Sequence, residues 1–215
     1  MNVDVGNVKG FEDYLPISAI KREYIKDVVK KHLKLHGFMP LETPIVEYDE
    51  LLKPNLLPSE SAEEANFDRL RMEDRAGRKL SLRYEFRLAL PKLFKKDPQV
   101  RFPLRTYQIG ECFKDNLLRA GRTRQFTQID IDFFGEASQN AETELLLVTS
   151  NIFKELGIDF EINISNKKLI ESIVESVQID NKRQFIRELS KLQRIGEDLV
   201  KMNLKKYADS NQILT

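Results

Sequence analysis

The run Gln125-Phe126-Thr127-Gln128-Ile129-Asp130-Ile131-Asp132-Phe133-Phe134 decides the fold class. Side chains alternate across a strand, so this spacing places Ile129, Ile131 and Phe133 on one face and Gln128, Asp130 and Asp132 on the other. The first is a core face. The second has two readings: a solvated polar face, the usual state of an alternating antiparallel strand, or the floor of a site that grips an amine. Upstream, Tyr107 to Lys114 reads as a second strand, separated from the first by a ten-residue basic connection. Such close spacing predicts an antiparallel hairpin.

Beyond the hairpin, Ser138 is placed to cap a helix with Ala141, Leu145, Val148, Ile152 and Leu156 at helical spacing, stopped by Gly157. Ile158 to Ile164 then alternates and predicts a strand. From Lys167 onward the pattern is charged and helical, with Phe185, Ile186, Leu189, Leu192, Leu199, Met202 and Leu204 as apolar positions, and it reads as a separate helical piece. Before the hairpin, Ile17, Ile20, Tyr24, Ile25, Val28 and Leu33 predict an amphipathic helix ending at Gly37. Phe38 to Val46 carries Pro40 and Pro44, which exclude a central helix and favour an extended segment at a sheet edge or an interface. Residues 54–79 mix Pro, Ser, Glu and Arg without period, a long loop or weak hairpin ending at Gly77. Leu80 to Arg83 alternates as a short strand, and Phe86 to Phe94 predicts a short packed helix that stops before Pro98.

Composition bounds the function classes. With 215 residues, 41% hydrophobic and 32% charged, the chain can bury a core in one domain, or in one domain plus an appendage. Thirty-five Lys and Arg face 34 Asp and Glu, a net charge of +1, which removes any argument from global charge for nucleic acid or anionic membrane. Any anion site must be local. The single cysteine, Cys112, forms no internal disulfide and no thiolate cage, so a reducing, cytoplasmic location is expected. No apolar run approaches the ~18 residues of a membrane helix, and the N-terminus lacks a signal peptide's basic and apolar regions, so a soluble, unprocessed chain without membrane contact is expected.

The hairpin connection holds Lys114, Asp115, Arg119, Arg122 and Arg124, four cations and one anion. Arginine forks suit phosphate oxygens, and cations on a hairpin can close over a polyphosphate without a glycine-rich cradle. The bland alternative is a solvated loop that keeps the chain soluble. Neither a Walker A loop nor a G-x-G-x-x-G run occurs, so nucleotide binding needs a different fold from either. His32 and His36 lie i, i+4 on the first helix. Without an H-E-x-x-H glutamate or a third ligand nearby they read as surface or packed histidines, and no metal site is expected from protein clusters. Cys112 shares a strand face with Lys114, whose charge could lower its pKa; a small buried hydrophobe is the simpler reading.

Several ordered motifs together resemble the catalytic domain of histidyl-tRNA synthetase, a class II aminoacyl-tRNA synthetase. They are Val8 to Pro16, then His36-Gly37-Phe38 with Leu41-Glu42-Thr43-Pro44-Ile45, which is similar to motif 1. Asp74 to Glu85 resembles the substrate-binding strand and turn. Tyr107 to Phe113 and Gly121 to Gln128 resemble motif 2, the hairpin that holds ATP, and Ala141 to Asn166 continues the match. The resemblance implies an α+β architecture, a class II synthetase-like antiparallel sheet with flanking helices, plus a small helical appendage. Residues 1–175 would be the catalytic core with motifs 1 and 2, and 176–215 the start of the helical insertion domain.

It also implies roles. Phe126 would stack on adenine, Arg122 would meet the outer phosphates of ATP, and Lys114 would take the catalytic place on the α-phosphate. Glu85, Gln128 and Asp132 would hold the amino group of histidine. ATP with Mg²⁺, histidine and tRNA(His) would be the ligands, and motif 1 implies a homodimer through about residues 36–48. Three positions depart from the family pattern. Lys114 stands where an arginine is usual, which keeps the charge but loses the fork. Asn116, near the adenine amino group, replaces an acidic residue. Arg87 replaces a small threonine and puts a long cation where the histidine ammonium would sit. The family's histidine-specific segment and motif 3 would lie beyond Thr215, so these 215 residues are expected not to be competent alone. The function expected is therefore histidine–tRNA ligase-like. The alternative is a non-catalytic paralogue acting as a regulatory or RNA-binding subunit, like the regulatory subunit of ATP phosphoribosyltransferase.

Overall fold

Pro16–Leu35 forms the first helix, α1. Proline suits the first helical turn because its missing N–H would have no partner there. Gly37, at φ +75°, turns the chain just after the helix. The computed structural model describes residues 6–52, 69–115, 121–176, 179 and 181–208. Only the later half of α1 is buried, through Val28, Val29 and Leu33. Ile17, Ile20, Tyr24 and Ile25, expected on the packed face, are exposed.

Two three-stranded sheets follow. Strand β1 (Met39–Pro40) and strand β2 (Val46–Tyr48) come first, then β3 (Arg71–Glu73) and β4 (Lys79–Leu82). Of the stretch 54–79, expected as a long loop or weak hairpin ending at Gly77, the described part includes β3, which pairs with β4 around a turn with Gly77 at φ +75°; residues 54–68 lie outside the described residues. A 3₁₀ turn at Arg87–Ala89 leads into helix α2 (Leu90–Lys96). This stops before Pro98 as the sequence requires, but begins later than Phe86 because the first turn is 3₁₀.

The long strands are β5 (Leu104–Phe113) and β6 (Gln125–Phe134), antiparallel from Leu104 opposite Phe134 to Phe113 opposite Gln125. β6 has the bounds read from its alternation, while β5 begins three residues earlier than expected. β1 joins β5 in parallel, giving the order β1-β5-β6, and the second sheet runs β2-β4-β3. Helix α3 (Gln139–Glu155) follows Ser138, which holds the N-cap position but makes no side-chain cap bond.

The core lies on one face of the long hairpin. Val29, Leu33, Phe38, Tyr107, Val148 and Ile152 form it, with Ile109, Ile129, Ile131 and Phe133 packed against them. This is the apolar face that the alternation marks, with Ile129, Ile131 and Phe133 on one side of β6. Ion pairs lock α1 to the surrounding elements: Lys31 and His32 reach Glu155 at 2.8 and 2.7 Å, and Arg22 donates to Glu111 at 3.2 Å.

The chain divides by its contacts into two compact units, Met1–Asp159 and Phe160–Thr215. The second contains α4 (Lys167–Ser176), α5 (Lys182–Leu189), α6 (Leu192–Ile195) and α7 (Glu197–Leu204). They close over Val174, Ile179, Phe185, Val200 and Leu204. Helix α4 belongs to this unit because it packs its Val174 face with the helices that follow it. The strand expected over Ile158 to Ile164 does not form: these residues have no regular secondary structure. Alternation alone makes no strand without a neighbouring ladder, and none pairs with this segment among the described residues.

Candidate functional site

The other face of the long hairpin carries the even-numbered positions of both strands. Thr106 lies opposite Asp132, Gln108 opposite Asp130, and Gly110 opposite Gln128. Thr106, Gln108 and Asp130 are only 3%, 1% and 8% exposed, so this is a buried polar floor and not a solvated face. Gln128 Nε2 donates to Asp130 Oδ1 at 2.8 Å, and Thr43 Oγ1 donates to Gln108 Oε1 at 3.1 Å. Four atoms on this face find no hydrogen-bond partner among the described residues: Thr106 Oγ1, Gln108 Nε2, Asp130 Oδ2 and Asp132 Oδ2. An unmet buried polar group costs ~1–3 kcal/mol. This floor carries several such atoms, two of them carboxylate oxygens.

Glu85 and Arg87 close this floor from the turn after β4. Burial pushes the Glu85 carboxyl up from its ordinary value; Arg87 pulls it down and Asp130 raises it. Asp132 is likewise raised by burial, against the pull of Arg87. Arg87 Nε lies 3.9 Å from Asp130 Oδ2 and 3.8 Å from Asp132 Oδ1, with its side chain 66% exposed. A depression of about 350 Å³ opens beside it, lined by Arg87, Asp132, Glu136, Glu142 and Leu145 among others. The structure therefore places Glu85, Arg87, Gln128 and Asp132 around Asp130.

One buried arginine holds this turn in place. Arg83 donates from Nε to Glu111 O at 2.6 Å and from Nη1 to Thr43 O at 3.0 Å, with its guanidinium 4.6 Å from the Phe86 ring centroid. Its backbone N–H bonds Ile45 O at 2.8 Å, and its carbonyl accepts from Phe113 N at 3.0 Å. Gly110 is needed for this approach, because a Cβ there would stand 2.6 Å from Arg83 Nη2.

Towards the hairpin turn the same face carries Cys112, Lys114 and Phe126. Lys114 Nζ lies 4.2 Å from the Tyr84 ring centroid and 5.6 Å from that of Phe126, a cation between two aromatic faces. Arg124 is held by Asp115 at 2.9 Å and by Lys9 O at 3.4 Å, so it is a structural brace and not a free phosphate ligand. Arg122 is exposed. Asn116 and Arg119 lie outside the described residues. Cys112 is fully buried and its thiol is pushed up to about 12, so burial outweighs any activation by Lys114. His32 pairs with Glu155 and His36 lies 3.6 Å from Glu144; among the described residues no three His, Cys, Asp or Glu side chains are grouped as a metal site.

Sequence reasoning did not select Arg83, Tyr84, Thr106 or Gln108, and it named Asp130 only through the alternation, beside Gln128 and Asp132, and gave it no role from the resemblance. The other four carry no local signal, because their roles come from residues far away in sequence.

Comparison with known proteins identifies the family and the fold. The histidyl-tRNA synthetase family pattern matches residues 10–210. Histidine–tRNA ligase 1 of Bacillus cereus is 32% identical over 213 residues, 98% of this chain and 48% of the relative. The crystal structure of histidyl-tRNA synthetase from Nostoc sp. PCC 7120 superimposes with a TM-score of 0.82 at 25% identity, over 99% of this chain and 48% of that one. A Bacillus halodurans protein described as an ATP phosphoribosyltransferase regulatory subunit/histidyl-tRNA synthetase shares the fold, with a TM-score of 0.80 at 16% identity over 99% of this chain and 54% of that one. The chain thus spans about half the length of the relatives it matches. Its α+β architecture is that of class II synthetases, and with the family pattern covering residues 10–210, the chain belongs to the histidyl-tRNA synthetase family.

Proposed function

We propose that this chain supplies the ATP hairpin and the amino-acid floor of a histidine–tRNA ligase, which activates histidine with ATP and passes it to tRNA(His). The observation that carries the reading is the continuous hairpin face, on which the buried Asp130 and the partly buried Asp132 run through Gln128 to Phe126 and Lys114. An ammonium bound at the acids places its carboxylate towards the cationic end. Histidine's carboxylate is already ionised, so no base is required. It attacks the α-phosphate, a P–O bond forms, and the bond to the leaving pyrophosphate breaks. Lys114 neutralises charge on the α-phosphate, Phe126 stacks on adenine, and Arg122 meets the outer phosphates. Asn116 would lie near the adenine amino group.

Mg²⁺ would enter on the ATP phosphates. Among the described residues no group of three His, Cys, Asp or Glu side chains is placed to hold the ion itself. Residues of unit 1 act as the front of the catalytic core and the later helices as the start of an insertion domain, in a cytoplasmic homodimer. The exposed Ile17, Ile20, Tyr24, Met39, Ile45 and Val46 suit burial between two copies.

A second reading, a non-catalytic regulatory or RNA-binding paralogue, is favoured by Arg87 beside the acids and by the fork lost at Lys114. Histidine-dependent ATP–pyrophosphate exchange, with other amino acids as controls, separates the two. Exchange with histidine alone supports the ligase. ATP binding with no exchange, in a chain extended through the rest of the relatives' length, supports the paralogue.

A further inference from the structure

The floor is unusual in how its nearest cation meets it. Asp130 is 8% exposed, and its Oδ2, like that of Asp132, has no hydrogen-bond partner among the described residues. Arg87 approaches both edge-on through Nε at 3.9 and 3.8 Å, with a side chain 66% exposed. A guanidinium that satisfied the pair would present two N–H groups at about 2.7–2.9 Å. Arg87 instead balances the charge of the floor without filling its acceptors. Glu136 and Glu142 line the same depression, so a guanidinium that swings off the floor stays among carboxylates.

We propose that Arg87 is a displaceable counter-ion of the amino-acid floor, a tethered cation that must move aside for a ligand ammonium and thereby sets which amines the site accepts. This rests on the amino-acid reading of the floor given above. Tethering keeps Arg87 at high effective concentration, so it competes with any free amine. An ammonium wins by bringing short donors that reach both unpartnered Oδ2 atoms. The exposed guanidinium then repels a bare amine but attracts an α-carboxylate, which favours an amino acid over its decarboxylated amine. Burial raises the Glu85 and Asp132 carboxyls while Arg87 pulls both down, so the same arginine is visible in their titration.

The test compares the full chain with Arg87→Gln and Arg87→Lys, using L-histidine and histamine as probes in titration calorimetry. Arg87→Gln should raise histamine affinity by about fivefold or more, the effect of one unit charge at 4 Å even in a water-like medium. Histidine should gain less, and Arg87→Lys, which keeps the charge, should match the parent. Unchanged or weaker histamine binding in Arg87→Gln overturns the proposal. Carboxyl ¹³C titration provides a readout that needs no ligand: in Arg87→Gln the Glu85 and Asp132 resonances should titrate at higher pH. If neither probe binds any variant but these titrations move, the counter-ion role stands and the amino-acid reading of the floor fails. If they do not move, the counter-ion role is overturned as well.

Discussion

Gln108 and Asp130 face each other across β5 and β6, both more than nine-tenths buried, yet each keeps one polar atom, Nε2 and Oδ2, without a hydrogen-bond partner among the described residues. Interiors dominated by stability rarely hold such a pair. It lies on the face that also carries Gln128, Phe126 and Lys114, where it keeps polar atoms buried at the expense of the fold's stability.

That tension is measurable. Asp130→Asn removes a buried charge while keeping the shape, and it should stabilise the chain by ~0.5–2 kcal/mol in urea unfolding. The same change should weaken amine binding. A variant that is less stable than the parent would show that the carboxylate is held by contacts stronger than its single bond from Gln128.

Gly110→Ala probes the brace. The added Cβ meets Arg83 Nη2, and Arg83 cannot retreat without giving up Thr43 O, Glu111 O and the Phe86 ring. A loss of ~2–4 kcal/mol is expected from overpacking together with broken buried bonds. Thermal melting within a degree of the parent would mean that Arg83 has room to move.

The contribution of Glu85 and Asp132 to stability should fall as pH rises above about 4, opposite in sign to that of carboxyls the fold lowers, such as Asp74 and Glu155. Both carboxyls are raised in the fold by burial. The folded state therefore holds protons that the unfolded chain has released. The contribution of these two carboxyls is most favourable below their unfolded values, near pH 4, and declines until the raised folded values are passed. Glu85→Gln with Asp132→Asn should flatten that decline. A double variant with the parent's pH profile between pH 4 and 7 would assign the decline to other groups.

For the hairpin, Arg122→Ala should weaken ATP binding by ~1–2 kcal/mol, because the side chain is exposed and partly screened. Arg124→Ala should act mainly on stability, since its guanidinium already binds Asp115 and Lys9 O. Calorimetry and melting together separate the two. Equal, negligible effects on ATP would return the connection to a solvated loop.

Light scattering at high micromolar protein should give a dimer mass. Met39→Glu with Ile45→Glu should make it monomeric, since both side chains are about half exposed, at 53% and 46%. Phe38, which the sequence placed with them, is core, packed edge-on to Phe133 at 5.1 Å, so Phe38→Ala should cost ~3–5 kcal/mol of stability. A monomer in the parent protein would remove the interface.

Local pattern determined a good deal on its own. Period 2 assigned β6 and its two faces, period 3.6 assigned α1 and α3, and Gly37, Gly77 and Gly157 marked the turns, because backbone geometry reads neighbours two to four positions away. The motif order likewise named the family from residues that stand in line along the chain. Tertiary structure alone decided whether the polar face of β6 was solvated or buried, since that depends on Thr106 and Gln108 from β5, on Thr43, and on the turn at Glu85 and Arg87. It also decided that Ile158 to Ile164 forms no strand, because a ladder needs a partner, and that Phe38 packs inward while Met39 faces out. Arg83 shows why such facts escape a linear reading. Its three anchors, Thr43, Glu111 and Phe86, are scattered along the chain, and only the fold brings them within the reach of one guanidinium.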